Sequence, residues 1–262
     1  MSYQTLKFEL DGALARITLN RPDAANSMNM DMMRELFAAA IECDSNAEIR
    51  AVLLTGEGKM FSAGGDLGWF GQHLDNIGPL LTESAAYLHN AISHFSRMKK
   101  PLVIAVNGPA AGAGMSLAVV GDYTLASESA SFTMAYTAAG LSPDGGASYF
   151  IPRLIGERRA KELMLTNRKL SAAEAKDWGL INDVVPADKL LATAEKMAQR
   201  LAQGPTQAFA KVKELLISSA KESLEAQMEL EARGIAGNAT GTDGQEGITA
   251  FLEKRRPTYT GK

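Results

Sequence analysis

Leu102 to Ala126, LVIAVNGPAAGAGMSLAVVGDYTLA, places a strand, a glycine-rich turn, a helix and a second strand in one short span. Leu102–Val106 is an unbroken apolar run of strand length entered through Pro101. The small-residue turn after it opens a helix over Gly112–Val119, and Tyr123–Ala126 reads as the next strand. Such a crossover is right-handed and lays its two strands parallel. The same rhythm runs upstream. Met30–Cys43 carries Met33, Leu36, Phe37, Ala40 and Ile41 at helical spacing, and a strand follows at Ala51–Leu54. A glycine-rich loop spans Gly56–Gly68, and a helix over Leu80–Arg97 closes at Pro101. The chain opens on strands Leu6–Leu10 and Leu14–Leu19 across Asp11-Gly12, a hairpin signal. Pro22, which has no N–H to give a ladder, ends the second strand. Strands alternating with helices make the fold class α/β.

The composition changes from about Lys189. Leu190–Leu201, Thr206–Ser218, Leu224–Ile235 and Gln245–Arg255 read as helices with no strand between them. The expected division is an α/β core over 1–187 and a helical region over 188–262, which folds back on the core or packs on another subunit. Neither an internal repeat nor a low-complexity segment is present.

Bulk properties narrow the function. At 262 residues, 46% hydrophobic and 22% charged, the chain can bury a large core unaided. A formal charge of −3 argues against nucleic acid or an anionic membrane as a main partner. No apolar run spans a bilayer, and Met1–Asp11 shows no targeting pattern. Cys43 is the sole cysteine, so the expected compartment is the reducing cytoplasm.

Three small-residue stretches stand out: Phe61-Ser62-Ala63-Gly64-Gly65-Asp66-Leu67, Asn107–Gly114 and Gly140-Leu141-Ser142-Pro143-Asp144-Gly145-Gly146. Glycine lets a backbone approach something closely, and uncovered N–H groups at a helix start favour an anion. Two such stretches either form an oxyanion hole jointly or are tight turns. Gly56–Met60 lacks the spacing of a phosphate loop, and Gly108–Gly114 lacks that of a dinucleotide fingerprint. His73, His89 and His94 have no metal-ligand spacing, so no metal is expected, and the latter two read as surface or packing residues.

Asn20-Arg21-Pro22, FSAGGDL, NGPAAGAG and GLSPDGG, in this order and with a late Phe251-Leu252-Glu253-Lys254-Arg255, resemble the crotonase (enoyl-CoA hydratase/isomerase) family over nearly the whole chain. The resemblance implies a crotonase-like spiral of ββα units, with a helical C-terminal region for trimerisation and association into trimers or hexamers. It implies an acyl-CoA thioester substrate, with coenzyme A part of that substrate and no separate cofactor. Gly65 and Ala113 would offer the two oxyanion N–H groups. Ala24, Ala25, Ala63, Asp66 and Leu67 would lie along the CoA, and Phe251 and Lys254 would touch a neighbour's CoA. Asp66 reads equally well as a turn acceptor.

Hydratases of the family carry two glutamates, and alignment places Ser116 and Tyr136 at their positions. Hydration needs a base for water and an acid for the α-carbon, so the usual machinery is missing. One carboxylate remains: Asp144, expected in a first helical turn with Ser142 as N-cap and Pro143 at N1. On residue type alone, a first-turn aspartate serves the helix dipole. The resemblance to ring-1,2-epoxyphenylacetyl-CoA and Δ3,Δ2-enoyl-CoA isomerases makes it an acid/base, with Leu141, Tyr136 and Phe150 expected to bury it. Tyr136 reads as a pocket-lining residue or a core aromatic. The first reading is an acyl-CoA double-bond isomerase. The others are a hydratase using nonstandard catalytic groups or water held by Ser116, an aryl-CoA dehalogenase with Asp144 as nucleophile and His89 or His94 as base, and a non-catalytic acyl-CoA-binding subunit. The dehalogenase it resembles has tryptophan where Tyr136 stands. Trp69–Ser84 is expected to cover the acyl pocket.

Overall fold

The computed structural model describes residues 3–262; Met1 and Ser2, the start of the stretch read for targeting signals, lie outside them. The strands are β1 Leu6–Asp11, β2 Leu14–Leu19, β3 Ala51–Gly56, β4 Leu102–Val106, β5 Ala110–Ala111, β6 Tyr123–Ser127, β7 Ser131–Thr133, β8 Leu170–Ser171 and β9 Asp183–Val185. The helices of the first half are α1 Met30–Ser45, α2 Leu67–Gly71, α3 Ile77–Arg97 and α4 Ala113–Ala118. After them come α5 Ala147–Ile155, α6 Glu157–Thr166, α7 Ala172–Trp178, α8 Leu190–Ala202, α9 Thr206–Ser218, α10 Leu224–Thr240 and α11 Thr242–Leu252.

The main sheet runs β1-β2-β3-β4-β6-β9. Strand β1 pairs antiparallel with β2, and every other neighbour pair is parallel. Its central strands are continuous apolar runs because both faces are covered. The pleat divides them. Val52, Leu54, Leu102, Ile104 and Val106 face one core, built with α1 and α3. Ala51, Leu53, Val103, Ala105 and Leu125 face the other, which α8 closes with Leu190, Ala194, Ala198 and Ala202 at four-residue spacing. The first helix of the late helical region therefore folds back on the sheet.

Helix α9 is anchored through a buried cation. Lys213 Nζ lies 2.7 Å from Asp122 Oδ2 and donates to the carbonyls of Phe95 and Lys100. Beyond it, α10 and α11 leave Ile235, Phe251 and Leu252 largely exposed. Asp243, almost fully buried, accepts from the N–H groups of Thr260 and Gly261 and holds the last residues in place. Cys43 is buried on α1, and desolvation pushes its thiol up to about 12. No helix among the described residues is long and apolar enough to cross a membrane.

A second, three-stranded sheet, β5-β7-β8, is absent from the sequence reading. Strands of two or three residues are too short to show a period. This small sheet matters, because β5 delivers the chain into α4 and so places the second glycine stretch.

Candidate active site

The first and second glycine stretches meet face to face. Ser62 bridges to Ala110, and Met28 bridges to Gly65. Ser62 Oγ donates to the Asn26 carbonyl and accepts from the Gly64 N–H, so the first loop is held from within. Gly64 has φ +91°, and a β-carbon there would stand 2.6 Å from the Ala111 oxygen and 3.0 Å from the Ala113 nitrogen. Only glycine allows this approach. Among the described residues, neither the Gly65 nor the Ala113 N–H donates a hydrogen bond. Both residues line one cavity of about 350 Å³, walled by Met33, Phe70, Leu81 and Leu141.

Asp144 lines the same cavity, but not from a helix. The expected first turn with Ser142 as N-cap and Pro143 at N1 is not formed. Helix α5 starts at Ala147, after Gly146 as N-cap residue and without a side-chain cap. The reason is the glycine pair: Gly145 and Gly146 take φ +60° and +74°, left-handed values that a helix cannot contain. A β-carbon on Gly145 would lie 2.9 Å from the Ser116 β-carbon, so the loop packs directly on α4. The dipole account of Asp144 therefore lapses. Its side chain is 35% exposed, and Phe150, expected to bury it, leans on Gly146 instead.

Three side chains from three elements hold this loop. Tyr136 Oη donates to Asp144 Oδ1 at 2.6 Å. Ser116 Oγ lies 2.9 Å from Tyr136 Oη and donates to the Asp144 carbonyl at 3.0 Å. Ser116 is fully buried and does not line the cavity, so it is not placed to hold a water there. Burial, and then the Asp144 charge, push the Tyr136 phenol well above its ordinary range, so it stays protonated and a donor. His89 Nε2 accepts the Gly145 N–H at 3.1 Å and lies 3.7 Å from Asp144 Oδ2. An accepting Nε2 puts the ring proton on Nδ1.

The residues expected along the CoA divide. Ala63 and Leu67 line the cavity. Ala24 and Ala25 form the turn after β2, and the Ala25 carbonyl accepts from the Ala63 N–H. Asp66 is committed elsewhere: it caps α2 through the Trp69 N–H and takes the Arg21 guanidinium at 2.9 Å. Burial opposes its charge, but those two donors outweigh burial and hold the carboxyl below its usual range. Phe251 and Lys254 sit at the exposed end of α11 and do not line the cavity of their own chain.

The sequence reads His89 as a surface or packing histidine, or as the base of a dehalogenase, and misses its hold on the Asp144 loop. Its signal was present: Thr82, Ala85 and His89 recur at spacings of three and four on α3, and the first two line the cavity. His94, read alongside it, faces away and pairs with Asp44 at 3.1 Å. Arg21 enters the sequence reading only as part of the Asn20-Arg21-Pro22 stretch after β2, and its pairing with Asp66 is non-local. Among the described residues no cluster of metal-binding side chains occurs.

The family model described as enoyl-CoA hydratase/isomerase matches residues 9–262. A Rhodobacter capsulatus protein named "Probable enoyl-CoA hydratase" is 40% identical over the full length of both chains. The Escherichia coli 1,2-epoxyphenylacetyl-CoA isomerase is 39% identical over 94% of each. The crystal structure of an enoyl-CoA hydratase from Polaromonas superposes with a TM-score of 0.93 at 35% identity, covering 97% of this chain and 99% of the other.

Proposed function

From the enoyl-CoA hydratase/isomerase family, to which this chain belongs, we propose a specific member: an acyl-CoA double-bond isomerase in which Asp144 alone moves the proton. One observation carries the reading. Among the described residues lining the cavity, Asp144 is the single carboxylate, and it shares that cavity with two N–H groups that have no acceptor in the chain. Shifting C3=C4 to C2=C3 removes a proton at C2 and returns one at C4, and one base between the two carbons does both. The dienolate between these steps carries its charge on the thioester oxygen. Gly65 and Ala113 would donate to it there, each worth about 2.7–4 kcal/mol of transition-state stabilisation.

In this reading Ala24, Ala25, Ala63 and Leu67 run along the CoA, and Asp66 supports that wall through Arg21. The acyl group is aromatic or of medium length, in keeping with the apolar walls of the cavity. The exposed apolar residues of α10 and α11 are covered by further copies in a trimer or hexamer, where Phe251 and Lys254 reach a neighbour's CoA. Light scattering on the purified protein measures that mass. The test of activity is a 3-enoyl-CoA followed by NMR in deuterated buffer. A 2-enoyl product whose C4 carries the transferred C2 proton, or solvent deuterium where Oδ2–H exchanges first, is the expected result and is lost in Asp144→Asn. Isomerisation at the wild-type rate in that variant would rule the assignment out.

A second reading has its own observation. His89 Nε2 lies 3.7 Å from Asp144 Oδ2, within reach of a carboxylate nucleophile, and would serve as the base of an aryl-CoA dehalogenation once it releases the Gly145 N–H. Halide release from a halogenated aryl-CoA, lost in His89→Gln, would favour it over the isomerase.

A further inference from the structure

Asp144 presents two chemically different oxygens. Oδ1 accepts the Tyr136 hydroxyl at 2.6 Å, whereas Oδ2 accepts no hydrogen bond from the described residues and lies 3.7 Å from His89 Nε2. Tyr136 is itself fixed at both ends. Its hydroxyl meets buried Ser116 Oγ at 2.9 Å, and the same Oγ lies 3.0 Å from the Asp144 carbonyl, so one serine, with a single proton to share between them, touches both the phenol and the loop it serves. At the main chain, Ala135 takes φ +56°, and the Tyr136 N–H bonds back to the Met134 carbonyl at 2.6 Å. A tight turn through a left-handed alanine is a strained conformation, and such strain persists where the surroundings hold it. Here it directs the phenol at the carboxylate.

We propose that Tyr136, anchored by Ser116, is a positioning residue that locks the Asp144 carboxylate through Oδ1 and leaves Oδ2 as the single proton-carrying atom. The inference rests on the isomerase reading. In the first step the C2–H bond breaks, its proton goes to Oδ2, and its electron pair enters the dienolate. In the second, the Oδ2–H bond breaks and a C4–H bond forms from the dienolate pair, leaving C2=C3. The carboxylate ends as it began, and no other reactant is consumed. One oxygen must therefore serve two carbons on one face of the acyl chain, and a carboxylate free to rotate would lose that alignment. A donor on Oδ1 resists the rotation, and Tyr136, although it lines the cavity, acts on the moving proton only through Asp144.

Rotational control predicts a loss in turnover rather than in binding. Wild type, Asp144→Asn, Tyr136→Phe and Ser116→Ala are compared on a 3-enoyl-CoA, with thermal melting as the check on folding. Tyr136→Phe is expected to lower kcat about 10–100-fold with KM within twofold, while Ser116→Ala, which keeps the phenol but loosens it, lowers kcat by less. A merely packed phenol would leave kcat alone or move KM and melting together. If Asp144→Asn is inactive yet both other variants keep kcat within twofold of wild type, the positioning role is overturned and the isomerase reading stands. An active Asp144→Asn overturns the base itself, and with it this inference. Should Tyr136→Phe fail to fold, Ser116→Ala decides, because removing a buried hydroxyl there creates no clash.

Discussion

The backbone N–H of Gly145 donates to Nε2 of His89 at 3.1 Å, tying helix α3 to the loop that carries Asp144. His89→Ala removes the acceptor and frees that loop on one side. One hydrogen bond is worth about 0.5–1.5 kcal/mol, so kcat for 3-enoyl-CoA isomerisation should fall roughly 2–10-fold. His89→Gln keeps an acceptor and should retain most of the rate. Steady-state kinetics on the two variants check both outcomes.

Gly64 is where the two glycine stretches touch. Gly64→Ala forces a β-carbon against the Ala111 carbonyl and the Ala113 nitrogen, and it strains a backbone at φ +91°. The loops must part, moving the Gly65 and Ala113 N–H groups off a common point. Loss of one oxyanion donor costs about 10²–10³ in kcat, and a fall of that order is expected. Calorimetric titration with a non-reacting CoA thioester should show much smaller losses, because the cavity walls remain.

Asp66 supplies a pH dependence whose sign follows from its donors. The Trp69 N–H and Arg21 hold its folded-state pKa below the ordinary value. Its contribution is therefore present above the unfolded pKa and is lost as pH falls through the lower folded one. Asp66→Asn, which can still cap α2 but gives up the charge paired with Arg21, should cost about 0.2–1 kcal/mol at pH 7. The gap in Tm from wild type should close as pH drops below the usual carboxylate range. A gap constant with pH would mean that shape, not charge, matters at this position.

The Lys213–Asp122 pair makes an asymmetric prediction. Asp122→Ala leaves a buried ammonium with only the Phe95 and Lys100 carbonyls, and breaking such a pair costs about 3–5 kcal/mol. Lys213→Met leaves Asp122, which is the more exposed partner and still accepts the Leu102 N–H, and should cost less. Denaturant melts of the two variants give the comparison.

The main sheet was legible because strands covered on both faces are written as apolar runs, as in Leu102–Val106, and because α8 repeats its small residues every fourth position. The first two glycine stretches were legible as backbone that must come close to something. What escaped was set by non-local packing. Ser142-Pro143-Asp144 is a sound helix start by local rule, yet Gly145 and Gly146 turn left-handed so that the loop can lie on Ser116. His89 looked like a surface residue because the atom it serves lies 56 positions away. Tyr136 was placed near the substrate, but no pattern along the chain reveals which oxygen of Asp144 it holds.

Cys43 has a practical consequence. A buried thiol pushed up to about 12 carries almost no thiolate at neutral pH, and thiolate is the reactive form. Among the described residues it is the only native thiol, so a maleimide dye should pass the folded protein by. One cysteine introduced at exposed Leu74, between α2 and α3, would then be the sole site of labelling. Its fluorescence would report movement of the segment beside the cavity as acyl-CoA binds, with no need to remove Cys43 first.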